Sequence, residues 1–270
     1  MSLPEITTLD TAADKVLVLI PTYNERENLP VIVSKVRSAV PHAHILVLDD
    51  NSPDGTGALA DEIAGNDDHV MVLHRTAKEG LGKAYLEGFA WGLDRGYDRL
   101  VEMDADGSHP AQTLPTLLEA ARHADLVIGS RWIRGGRVVN WPLSRKALSV
   151  GGNIYIKTLL GMGVNDATAG YRVYTASALH TIGLQDVASY GYCFQADLTW
   201  RAVRSGLTVV EVPITFVERE IGESKMNPDI ARESLLNITQ WGIAYRTDQA
   251  KALVGKVGRR VVGARRRVTS

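Results

Sequence analysis

Asp104-Ala105-Asp106 puts two carboxylates one residue apart at the end of the apolar run Leu100-Val101-Glu102-Met103. On an irregular strand end both side chains can turn toward one hard cation. Mg²⁺ or Mn²⁺ held this way keeps positions open for substrate phosphates. In an open α/β sheet the carboxyl ends of the strands are also where ligands bind. An Asp-x-Asp turn alone is common in loops, but a second acidic pair, Asp49-Asp50, ends the apolar run Ile45–Leu48 in the same way. Acids at two adjacent parallel strand ends are costly to bring together unless a cation or a donor-rich ligand fills the gap.

Other residues offer complementary groups. Pro21-Thr22-Tyr23-Asn24-Glu25 follows the run Lys15–Ile20 with a ring, an amide and a carboxylate. These suit a nucleobase, or equally a helix entry with Asn as cap and Glu in the first turn. Either Asp49 or Asp50 can accept from a base imino group while its neighbour caps the turn Asn51–Gly55. Arg131, in Gly129-Ser130-Arg131-Trp132, and Arg219 and Lys225, in a glycine-bearing stretch, are candidates for phosphate oxygens. Each base taken singly reads as a solvated surface group. The first strand lacks the G-x-G-x-x-G that a dinucleotide fold needs, and Gly80-Leu81-Gly82-Lys83 is not a Walker loop. The seven histidines show no zinc spacing, and only His109 lies close to the Asp104 motif.

Positioning these groups takes a repeating β-α framework. Strands are expected at Lys15–Ile20, Ile45–Leu48, Val70–His74, Arg99–Met103, Asp125–Gly129, Arg172–Tyr174 and Thr208–Pro213. Helices are expected at about 28–40, 57–64, 80–95, 113–121, 144–160, 195–204 and 228–245. Near-continuous apolar strands alternating with helices imply an α/β fold, a mainly parallel central sheet with helices on both faces.

The 270 residues suffice for one large α/β domain, and a 45% apolar, 23% charged composition is that of an ordinary soluble chain. The net charge of −1 conceals an asymmetry: residues 246–270 hold eight basic residues and one acid, leaving about −8 on the remainder. A basic tail on an acidic body suits an anionic surface. One cysteine, Cys193, excludes an intrachain disulfide and fits a reducing compartment. Neither a signal peptide nor an apolar stretch of spanning length is expected, so any work at a membrane is peripheral or through a membrane-embedded partner.

Seven motifs together resemble family 2 glycosyltransferases of the GT-A fold, and within them the polyprenyl-phosphate mannosyltransferases. They are Pro21–Glu25, Asp49–Thr56, Gly80–Gly88, Asp104–Pro110, Gly129–Trp132, Asp166–Tyr174 and Phe216–Met226. The resemblance implies a Rossmann-like catalytic domain over 15–226, after an extension 1–14 and before an amphipathic helix and basic tail at 227–270. It implies that Pro21, Tyr23, Glu25 and Asp49 or Asp50 hold the guanosine of GDP-mannose. Asp104, Ala105 and Asp106 would meet the diphosphate, the two acids through Mg²⁺ or Mn²⁺. Arg131, Arg219 and Lys225 would meet phosphates of the donor or of a polyprenyl phosphate acceptor. Ser108 stands where the family often has a glutamine at the metal, which leaves direct ligation and ligation through a water as alternatives. The implied place of work is the cytoplasmic side of a membrane, with no nucleic-acid partner.

Chemistry adds one expectation. Gln195–Arg201 fails the Q-x-x-R-W spacing found near the base of processive family 2 enzymes. A phosphate monoester, with a second pKa of ~6, needs no deprotonation at pH 7. Asp197 is the candidate base for a hydroxyl acceptor. Transfer from UDP-glucose, or sugar-nucleotide binding without turnover, are the alternatives.

Overall fold

Val16 to Ile20 is apolar at every position, so a strand formed there must be covered on both faces. In the computed structural model, which describes residues 14–187, 193–218 and 235–247, it is. Leu17 and Leu19 of β1 (Val16–Thr22) pack with Tyr85 and Phe89 on one face, while Val16, Val18 and Ile20 pack with Leu29, Ile32 and Val36 on the other. Each such side chain removed from water contributes about 1.5–3 kcal/mol.

The first half alternates strand and helix: α1 (Leu29–Ala39), β2 (His44–Asp49), α2 (Thr56–Asn66), β3 (Val70–His74), α3 (Leu81–Asp94), β4 (Arg99–Glu102), α4 (Leu114–Ala120) and β5 (Leu126–Ser130). A short strand β6 (Arg137–Val139) and the long helix α5 (Leu143–Leu160) come next. Then follow β7 (Arg172–Thr175), α6 (Ala176–Ile182), α7 (Cys193–Arg204), β8 (Val209–Pro213) and β9 (Thr215–Val217). Residues 235–247 form a last helix, α8. The large sheet has the order β3-β2-β1-β4-β7-β5-β8, with β7 antiparallel to both its neighbours and every other pair parallel. β6 and β9 pair as a separate ribbon.

Three expectations change, and a fourth falls partly outside the described residues. β1 continues through Pro21 and Thr22, residues that read as loop; proline is tolerated near a strand end because it forgoes only one donor. The strands ending in the two acidic pairs are not adjacent, because β1 lies between β2 and β4. The three-residue strands β6 and β9 and the two-turn helix α6 carry too little periodicity to be foreseen. Of the helix expected at 228–245, only 235–245 falls among the described residues, where the helix runs on to 247; Arg219 and Lys225 lie outside them.

Glycines set the close packing of α3. A Cβ at Gly82 would stand 3.0 Å from the Phe194 ring, and one at Gly92 2.7 Å from Leu100. Helix α8 docks on the body through Trp241 stacked on Trp200 at 6.1 Å and through a 2.7 Å hydrogen bond between Tyr155 and Thr239. Among the described residues no helix is long and apolar enough to cross a membrane.

Candidate active site

The loops after β1, β2, β3 and β4 gather at one end of the sheet. The first two are bonded to each other. The backbone N–H groups of Asn24, Glu25 and Arg26 donate to Ser52 Oγ (3.1 Å), Thr56 Oγ1 (3.0 Å) and Asp54 (3.3 Å). Glu25 also accepts from the Asn28 amide at 2.8 Å, so part of its function is to shape the entry to α1, whose N-cap Asn28 makes no side-chain cap bond. Tyr23 is half-buried, and Pro21 sits in the strand itself.

The two acids after β2 have different partners. Asp49 accepts from Thr22 Oγ1 at 3.1 Å and from Ser52 Oγ and N–H at 2.6 and 3.2 Å, which makes it the cap of the turn. Asp50 is paired instead with Arg75, whose side chain is 2% exposed and also bonds Glu87 at 2.9 Å. Burial pushes the Asp50 carboxyl up from its ordinary value and Arg75 opposes it. The cation that the acidic pair requires is thus partly built in, and of the two acids Asp50 is left as the candidate for a base. Arg75 has no motif around it in the sequence; only its place just past β3 marks it.

Beyond β1, Asp104 follows β4 and Met103. Its backbone N–H donates to His109 Nδ1 at 3.0 Å. A neutral His109 therefore carries its hydrogen on Nε2, which stands 3.8 Å from Asp104 Oδ2. The His109 ring is buried and stacked on Tyr171 at 5.1 Å. Tyr85 lies 3.5 Å from Asp104 Oδ1, its hydroxyl pushed well up by burial and then by Asp104. Asp106 accepts the Ser108 N–H at 3.0 Å in a tight turn. Ala105, between the two acids, is buried.

Among the described residues no group of three or more His, Cys, Asp or Glu is arranged to hold a metal. The donor set is two partly exposed carboxylates, with Ser108 Oγ buried beside them and lacking a hydrogen-bond partner. Hard oxygens alone, too few to complete a shell, fit Mg²⁺ or Mn²⁺ shared with a diphosphate. Beneath them Glu102 is wholly buried, 3.9 Å from Arg172. Burial, against the pull of Arg172, raises its pKa to about 8. At pH 7 it holds its proton and adds no third charge below Asp104 and Asp106. The equally buried Arg172 is satisfied by the Ala167, Ala169 and Gln195 carbonyls at 2.6–2.9 Å.

Two expected groups are placed otherwise than as open ligands. Arg131 bonds Asp166 through Nε (2.8 Å), Nη2 (2.7 Å) and its backbone N–H (2.8 Å). Its guanidinium faces the Trp132, Trp141 and Phe216 rings at 5.5–5.7 Å. The fork that sequence reading offered to a phosphate is therefore already closed on a buried carboxylate 35 residues away. Asp197 is 3% exposed and paired with Arg201 at 2.9 Å, which leaves it badly placed to take a proton from an acceptor.

The model of the glycosyl transferase family 2 matches residues 17–183. The undecaprenyl-phosphate mannosyltransferase of Micrococcus luteus is 56% identical over 241 residues, covering 89% of this chain and 99% of that protein. The polyprenol monophosphomannose synthase of Mycolicibacterium smegmatis is 59% identical over 242 residues, 89% and 91% of the two chains. Among solved structures, glucosyl-3-phosphoglycerate synthase from Mycobacterium tuberculosis, in complex with Mn²⁺, UDP and glucosyl-3-phosphoglycerate, shares the fold. Its TM-score is 0.61 at 18% identity, with 85% of this chain and 81% of that one covered. The same synthase with Mn²⁺ and UDP-glucose gives 0.61 at 20% identity, covering 85% and 80%. The α/β sheet with its one antiparallel strand is the GT-A fold, and the chain belongs to glycosyl transferase family 2.

Proposed function

We propose that this chain transfers mannose from GDP-mannose to a polyprenyl phosphate, with inversion at C1 and release of GDP. The observation that carries it is identity of 56–59%, over 89% of the chain, to two proteins named for mannosyl transfer to such lipids. The site's chemistry agrees. An acceptor phosphate oxygen forms a bond to mannose C1 as the bond from C1 to the β-phosphate oxygen breaks, and the electron pair leaves with GDP. The acceptor is already an anion, so a buried Asp197 is no handicap. Asp104 and Asp106 would hold Mg²⁺ or Mn²⁺, which when bound supplies charge stabilisation to the departing diphosphate. Asp50 and Tyr23 would hold the guanine, Glu25 and Pro21 the wall beside it. Arg219 and Lys225 would meet phosphates, and Arg131 would act beside them from its pair with Asp166. The test is incubation with metal, radiolabelled GDP-mannose or UDP-glucose, and polyprenyl phosphate, followed by extraction into organic solvent. Label from GDP-mannose alone is the expected result. Label from UDP-glucose alone, or binding without transfer, overturns the reading.

The acceptor's lipid nature gives a use to one face of α5. Positions 143, 144, 147, 148, 151, 154, 155 and 158 fall within an arc of about 140° and carry no charge. Leu143 is 84% exposed, and Leu148 and Ile154 are each 59% exposed. Leu236 and Ile243 on α8 extend the exposed apolar surface past the Tyr155–Thr239 bond. A peripheral seat on the cytoplasmic leaflet, helped by the basic tail, fits this surface. Leu143→Ser/Leu148→Ser/Ile154→Ser is expected to lower flotation with anionic vesicles at least about tenfold, since each side chain forgoes a burial worth about 1.5–3 kcal/mol. Equal flotation of the triple variant and the wild type would refute the seat.

A further inference from the structure

We infer that Lys78 is a specificity-determining residue for the donor's base, reading the oxo group that guanine carries at C6. This rests on the GDP-mannose reading above and adds to it a residue that no motif marks. The loop after β3 leaves the edge of the sheet and crosses the end of β2, because Lys78 Nζ lies 4.1 Å from the centre of the Tyr23 ring after β1. The start of that loop is fixed. The Arg75 N–H donates to Asp49 O at 2.8 Å, its guanidinium is locked between Asp50 and Glu87, and Thr76 O accepts from the Asn51 amide at 3.4 Å. Glu79, the carboxylate next to Lys78, is drawn away by Lys83 at 2.6 Å and Arg75 at 3.6 Å. Lys78 itself is exposed and makes no ion pair among the described residues. An ammonium is thus held on the Tyr23 ring face, at the strand ends where the Asp50 N–H donates to Thr22 O at 3.0 Å.

That pairing has a chemical preference. A base that takes the ammonium's place on the Tyr23 ring would, on this inference, meet its three N–H donors at one edge and the Asp50 carboxylate beside them. Guanine answers with O6 toward the ammonium and N1–H and N2–H toward the carboxylate. Uracil answers in the same sense with O4 and N3–H. Adenine and cytosine carry an amino group where the oxo group stands, so donor would face donor. Such a pairing discriminates against the mismatched base, because a donor facing a donor forfeits the charged hydrogen bond.

The test is calorimetric binding of GDP, ADP, UDP and CDP to the full chain with Mn²⁺, for wild type and for Lys78→Met, which keeps the aliphatic length without the charge. Wild type is expected to favour GDP over ADP and UDP over CDP. Lys78→Met should weaken the oxo member of each pair about tenfold, the loss of one charged hydrogen bond, and leave the amino member within about twofold. Lys78→Arg, which keeps donors there, should retain most of the preference. An equal loss for all four nucleotides would make Lys78 a diphosphate contact and overturn the inference, as would no loss at all. A wild type that prefers UDP to GDP would instead sink the GDP-mannose reading, and the UDP and CDP pair would still decide the role of Lys78.

Discussion

Asp104→Ala and Asp106→Ala are each expected to lower mannosyl transfer by at least about a thousandfold, since removing charge stabilisation from a departing group costs on the order of 3–4 kcal/mol or more. The fold should survive both changes. Asp104 anchors its turn to His109 through its backbone N–H, which alanine retains, and its carboxylate contacts to Tyr85 and His109 are long, at 3.5 and 3.8 Å. In Asp106→Ala the bond from the Ser108 N–H, worth about 1 kcal/mol, is among what is lost. A melting curve near that of the wild type, with Mn²⁺ binding lost when followed by the ion's own paramagnetic resonance, would complete the picture. Transfer within about tenfold of wild type in either variant would remove these carboxylates from the reaction.

How far such a site can be read from sequence depends on whether each group's partner is local. Asp104 and Asp106 were legible because their chemistry lies in spacing: two acids, one residue apart, at the end of an apolar strand. The parallel β-α order was legible for the same reason, since runs such as Val16–Ile20 state on their own that both faces are covered. What failed was neighbourhood. Nothing within residues 45–56 says that Asp50 pairs with Arg75, or that β1 separates β2 from β4. Nor does anything there say that Asp49 accepts from Thr22, 27 residues earlier. Glu102 sits unmarked within the apolar run Leu100–Met103, whereas the fold buries it and pushes its carboxyl up to about 8. A three-residue ribbon such as β6–β9 depends wholly on its partner, and neither half carries a signal of its own.

Arg131 too has its partner far away in sequence, and its pair with Asp166 carries the largest expected effect on stability. Asp166 is wholly buried and accepts three bonds from Arg131; the Asp166 N–H in turn donates to Glu211 at 3.0 Å. Asp166→Ala strands a guanidinium that is only 8% exposed. Breaking a buried pair from one side costs about 3–5 kcal/mol, which for a chain of this size lowers Tm on the order of 10 °C. Arg131→Met/Asp166→Leu removes both charges and fills the volume, so most of that loss should return. Transfer should not return with it. On the reading proposed above, Asp104, Asp106, the diphosphate and the acceptor phosphate would all be anions, and Arg131, which the end of β5 sets among the Trp132, Trp141 and Phe216 rings, would be a cation beside them. The double variant is therefore expected to melt near the wild type and to transfer mannose at least about a hundredfold more slowly, a loss of the size one charged contact supplies. Full recovery of transfer would mean that the pair only holds the loop after β5 in place, and the phosphates would then depend on cations elsewhere in the chain.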